Sequence, residues 1–141
     1  MLLNLDKTKL TVVGLAQLTK QLPPIPVSIS DKTISPVPFA RDLGVYLDQR
    51  LSYDTHITQT VSSCFNQLVH SNRIKHVLDR PTLLLLVKSF VFTKLFYCSS
   101  VWANTSKANI HKLQLVQNFA ARIILGLKKF DHISEGRKSL H

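Results

Sequence analysis

The spacing of apolar positions changes character near residue 53. Before that point the chain is short-stepped and punctuated by proline. Leu10-Thr11-Val12-Val13 predicts a strand ending at Gly14. Ile25 to Ile29 alternates Ile, Val and Ile with Pro and Ser, a period of two that predicts a strand. Ser30-Asp31-Lys32 is a turn signal, and Thr33 to Val37 is placed to return as the partner strand. Pro36 and Pro38 put that partner at a sheet edge, because proline has no N–H to donate to a ladder. Arg41 to Asp48 alternates again, with Leu43, Val45 and Leu47 expected on one face. These strands carry too few apolar side chains to close a core by themselves.

After residue 53 the period becomes helical. Ile57, Val61, Cys64, Phe65 and Leu68 fall on one stripe of a helix expected from about Asp54 to Leu78, with Ser52 or Asp54 as its cap. Asp79-Arg80-Pro81 breaks the chain, and Pro81 suits the first turn of a second helix. That helix, about Pro81 to Val101, is apolar nearly all round. Such a pattern predicts burial on several sides, at the centre of a bundle. Asn104 or Ser106 is placed to cap a third helix. Ile110, Leu113, Val116, Phe119, Ala120, Ile123 and Ile124 form its expected buried face, and Gly126 its left-handed end. The fold class expected is α+β: a small β-hairpin and strand segment followed by a three-helix bundle.

Composition sharpens this picture. A chain of 141 residues with 45% hydrophobic and 18% charged positions is foldable as one modest domain, or one and part of another. The formal net charge of +10 is uneven. Residues 1–50 carry six Lys or Arg against four Asp or Glu, and residues 51–141 twelve against four. A basic second half suits a polyanion, either nucleic acid or an anionic membrane surface. Lys88 and Lys94 interrupt the longest apolar stretch, which argues against a membrane span. With no signal-peptide pattern at Met1, the expectation is an intracellular protein of cytoplasm or nucleus. Cys64 and Cys98 lack metal-site spacing and are expected as reduced thiols in apolar surroundings.

Candidate chemistry is sparse. The eight acids are scattered, so no carboxylate pair is set to hold two metal ions. The six histidines show no helical metal-ligand spacing, and the four glycines are isolated, which excludes a Gly-rich phosphate loop. No catalytic residue, metal, cofactor or small-molecule substrate is therefore expected. Basic side chains remain. Arg73, Lys75 and His76 cluster where the first helix ends, Lys107, Lys112 and Arg122 lie on the third, and Lys128 and Lys129 follow it. They are readable as a solvated face with favourable helix-end charges, or as phosphate contacts whose strength depends on salt.

Three runs, in order, resemble the reverse transcriptases of non-LTR (LINE-type) retrotransposons. They are Asn4-Leu5-Asp6-Lys7-Thr8-Lys9-Leu10, Arg41-Asp42-Leu43-Gly44-Val45-Tyr46-Leu47-Asp48, and Leu113-Gln114-Leu115-Val116-Gln117-Asn118-Phe119-Ala120-Ala121-Arg122. His132-Ile133-Ser134 and Ser139-Leu140-His141 are also similar to the family's later motifs, whereas Glu135-Gly136 departs from the expected Pro-Val. The resemblance implies that residues 1–50 are a remnant of the polymerase palm with a primer-grip-like hairpin, 51–127 a helical thumb-like bundle, and 128–141 a basic tail. It implies that Lys7 matches a palm lysine which, without the catalytic aspartates, has no active site to serve. It also implies nucleic-acid contacts at Leu43, Gly44, Arg73, Lys75, Lys112, Gln117, Asn118, Arg122, Lys128 and Lys129. The Gln and Asn side chains are equally readable as a polar network that locks the bundle.

On this resemblance the chain is expected to be a fragment that binds a template–primer duplex and does not polymerise alone. Met1 would be an internal methionine and the upstream polymerase domains missing partners. The family's full-length enzyme would use Mg2+. Two alternatives differ in class: a stand-alone basic nucleic-acid-binding module, and a membrane-surface or partner-helix protein built on the apolar second helix.

Overall fold

A computed structural model describes Asn4, residues 7–14, Gln17, Pro23, residues 25–29 and residues 31–127. The fold is α+β: two antiparallel strand pairs precede a series of helices. The chain divides into two compact units, Met1–His56 and Ile57–His141.

In the first unit, β1 (Val27–Ile29) pairs with β2 (Lys32–Ile34), with Ile29 opposite Lys32, as the alternation of residues 25–37 predicts. A second hairpin joins β3 (Phe39–Asp42) to β4 (Val45–Asp48) in the register Asp42 opposite Val45. Here the expected single alternating run is folded back on itself. Leu43 and Gly44 form the two-residue turn, with φ of 44° and 87°. Two successive positive φ values match the hairpin turn whose twist suits the flanking strands. Leu43 therefore leaves the Val45–Leu47 face and stands 82% exposed at the tip. Gly44 supplies the second positive φ, which a residue without a Cβ adopts freely.

Leu10 to Val13 is not a strand. Leu10 makes one parallel bridge to Pro36, its carbonyl accepts from Val37 N–H at 2.8 Å, and Gly14 N–H donates to Gln49 O at 3.0 Å. Pro36 and Pro38 supply no N–H, so a longer ladder has nothing to continue on. Among the described residues of this unit only Val45 and His56 are fully buried, in keeping with the shortage of apolar side chains.

The second unit holds a real core. Helix α1 (Asp54–Ile74) ends in a 3-10 turn, Lys75–Val77. It buries Ile57, Cys64 and Leu68, with Thr60 and Ser71 in the same stripe. Helix α2 (Arg80–Val87) starts with Pro81 in its first turn, as expected. The long helix predicted to run on to Val101 does not. A π-helical turn, Lys88–Phe92, leads into α3 (Thr93–Leu95), and Cys98, with φ of 51°, reverses the backbone before α4 (Ser99–Trp102). The side chain of Thr93 marks the wider turn by donating to Lys88 O at 3.1 Å.

The π turn also explains the core spacing. Leu83, Val87, Val91 and Leu95 are all buried at intervals of four. In a regular α-helix each step of four drifts by about 40°. One wider turn between Val87 and Thr93 draws the stripe back towards a line. Burial is confined to that stripe: Leu85 and Phe90 are 66% and 60% exposed, so this segment is not the all-round core that its composition predicts.

Helix α5 (Lys107–Leu125) closes the bundle. Ser106 Oγ accepts from Asn109 N–H at 3.3 Å, and Gly126, at φ 66°, ends the helix. Leu127 N–H reaches Arg122 O and Gly126 N–H reaches Ile123 O, the paired bonds of a Schellman cap. Leu113, Val116, Ala120, Ala121, Ile123 and Ile124 are buried, whereas Ile110 faces out. The three long segments meet one another. Cys64 Sγ lies 3.7 Å from Val91 O, Phe65 and Phe119 rings are 5.8 Å apart, and α2 packs on α5. Each fully buried Leu, Ile or Val in this set contributes roughly 1.5–3 kcal/mol relative to exposure.

Candidate nucleic-acid interface

Residues 57–127 contain eight Lys or Arg and a single acid, Asp79. The helices distribute those cations around the bundle, and two of the expected contact residues converge. Lys75, at the end of α1, and Arg122, in the last turn of α5, border one groove of about 540 Å³. Its apolar wall is Phe65, Leu115 and Phe119, and Asn72 completes the rim. The two rings are tilted by 36° and half-buried. Arg122 Nε is buried and has no hydrogen-bond partner among the described residues. Leaving a buried N–H without a partner costs free energy. Beyond Lys75 a second groove, about 370 Å³, is bordered by His76, Arg80 and Leu83.

The other expected residues go elsewhere. Lys112 Nζ donates to Asn109 Oδ1 at 3.3 Å and lies 3.5 Å from Thr58 Oγ1, tying α5 to α1. Gln117 lines a separate apolar recess of about 250 Å³ with Gln114, Phe96 and Trp102. Asn118 is half-buried on α5, and Arg73 is exposed at the end of α1. Leu43 and Gly44 are the tip of the second hairpin. Lys7 is exposed in a turn rather than on a strand: its N–H donates to Asn4 O at 3.1 Å, and Thr8 Oγ1 donates to the same carbonyl. Lys128 and Lys129 lie outside the described residues. Among the described residues no three His, Cys, Asp or Glu side chains gather as metal ligands would. No helix among them is long and apolar enough to cross a membrane.

Two features of the first unit escape the pattern of apolar positions. Arg41 sits 5.6 Å from the centre of the Tyr46 ring, its cross-strand partner. Asp48 organises the segment that follows the hairpin. Its carboxylate accepts from the N–H groups of Arg50 (3.0 Å), Ser52 (3.1 Å) and Tyr53 (2.7 Å), and from Ser52 Oγ (3.1 Å). Burial pushes this carboxyl up, but the bonds from Ser52, Tyr53 and Arg50 outweigh it and hold its pKa below 3.8. They also hold Leu51 and Tyr53 in the left-handed region, at φ 51° and 61°. An Asp at a strand end before Ser and a helix is the available sequence signal.

Two polymerases align with most of this chain. The probable RNA-directed DNA polymerase from transposon BS of Drosophila melanogaster is 26% identical over 113 residues, 74% of this chain. The probable RNA-directed DNA polymerase from transposon X-element of the same fly is 28% identical over 118 residues, 80% of this chain. The chain is related to transposon reverse transcriptases. This reverse-transcriptase-related chain spans only 12% and 13% of the length of those two relatives. No protein-family model matches it, and no solved structure matches it.

Proposed function

We propose that this chain is the template–primer-holding part of a transposon RNA-directed DNA polymerase, and that it does not polymerise alone. The carrying observation is the helical unit's charge, eight cations to one acid over residues 57–127, in a chain related to such polymerases. In this reading the bundle is the thumb, and Arg73, Lys75, Lys112, Arg122, Lys128 and Lys129 contact phosphates. Gln117 and Asn118 lie along the same helix, and the Leu43-Gly44 hairpin is the primer-grip element. The exposed apolar side chains Leu85, Phe90 and Phe96 are surface that the remainder of a polymerase would cover.

Anisotropy of a fluorescein-labelled RNA–DNA hybrid, titrated with the full chain at rising KCl, tests the reading. The six phosphate contacts named above give a log–log salt slope of roughly −5. Undetectable binding, or binding indifferent to salt, overturns the duplex role. Primer extension by the purified chain on an RNA template with Mg2+ overturns the claim of inactivity.

A further inference from the structure

We infer that the groove between α1 and α5 also takes one unpaired nucleotide of RNA or DNA, so that Lys75 and Arg122 meet single-strand phosphates as well as the duplex phosphates assigned to them above. This rests on the nucleic-acid reading above but names a different ligand form and a particular place. The groove combines two surfaces that one nucleotide also combines. Its wall is aromatic and apolar, with Phe65 and Phe119 half-buried and tilted so that they do not stack face to face on each other. Its rim is cationic, with Lys75 and Arg122, and no acid among the described residues lines it. Arg122 brings a guanidinium to this rim, a group that pairs with phosphate through charge-assisted hydrogen bonds. The cations continue past the groove, since Lys75 also borders the recess that holds His76 and Arg80.

A strand lying across this surface meets Arg122, Lys75 and Arg80 with successive phosphates and the rings with a base. Bases within a duplex already stack on both faces, so only an unpaired base has a face to offer the rings. Aromatic wall and cationic track together are the general design of single-strand binding surfaces.

Oligouridine carrying 5-iodouridine, irradiated with the full chain, reads the contact directly. Cross-links mapped by mass spectrometry should fall on Phe65 or Phe119. Phe119→Leu keeps bulk and removes the ring. It should weaken oligouridine binding roughly fivefold or more while leaving the RNA–DNA hybrid unaffected. Lys75→Gln, at an exposed position that does not threaten folding, should lower the oligouridine salt slope by about one. Cross-links elsewhere, or equal weakening of both ligands by Phe119→Leu, overturn the inference. If the hybrid binds and oligouridine does not, the duplex reading stands and this one falls. If neither binds, both fall. An acidic leucine-rich peptide that binds where oligouridine fails also overturns it, by assigning the groove to a protein partner.

Discussion

Replacing Asp48 with Asn keeps the side chain's size but leaves one acceptor oxygen where residues 49–53 use two. In the native chain one carboxylate oxygen takes the N–H groups of Arg50 and Ser52, and the other takes Tyr53 N–H and Ser52 Oγ. The Ser52 hydroxyl can rotate to accept from an amide. The variant therefore sets its NH2 on that side and loses the 2.7 Å bond from Tyr53. A hydrogen bond to a charged group is worth about 1.5–3 kcal/mol. Partial solvent access reduces that to about 1–2 kcal/mol. Exchange of the Tyr53 amide, followed by NMR in D2O, should accelerate roughly 5- to 30-fold. The Leu68 amide, in the core of α1, should not change. Because the folded pKa of Asp48 lies below 3.8, the wild-type advantage is complete above that pH and disappears as pH falls through the folded value. An unchanged Tyr53 amide, equal acceleration at Leu68, or an advantage that survives full protonation would refute the reasoning.

Two other outcomes are expected. Gly126→Ala places a Cβ that meets nothing within 4 Å, so its cost is backbone strain at φ +66° alone. Urea unfolding followed by Trp102 fluorescence should show a loss of about 1–2 kcal/mol, with Gly126→Asn losing less. At pH 8 iodoacetamide should alkylate half-buried Cys98 first and reach Cys64 only on unfolding, because burial pushes the Cys64 thiol up to about 11, against a smaller opposing pull from Lys94. Equal rates measured by mass spectrometry would contradict that.

The helical half was legible where one periodic stripe faced one core. Cys64, Leu68, Leu113, Val116, Ser106 and Gly126 stand where spacing and cap chemistry put them. The middle segment was not, because Leu83 to Val101 is so uniformly apolar that composition hides where the helix breaks. Neither the π turn nor the left-handed Cys98 has a Gly or Pro to announce it. Leu43 misled for the opposite reason: its place in an alternating run concealed a turn whose signal was only Gly44. Asp48 and the Lys75–Arg122 groove depend on which residues the fold brings together over distance. Periodicity registers Phe65 and Phe119 only as members of buried stripes.

The π turn at Lys88–Phe92 has a consequence for changes in chain length. It holds one residue more than a regular α-helix needs between the same two flanks. Loss of a single residue there would restore ordinary helix while leaving Leu83 and Leu95 in mutual register. The same loss within α5 would rotate everything beyond it by about 100° and turn Ile123 and Ile124 out of the core. Tolerance to deletion is thus concentrated in one turn of the bundle, and copies of this sequence that differ in length by one residue are expected to differ there.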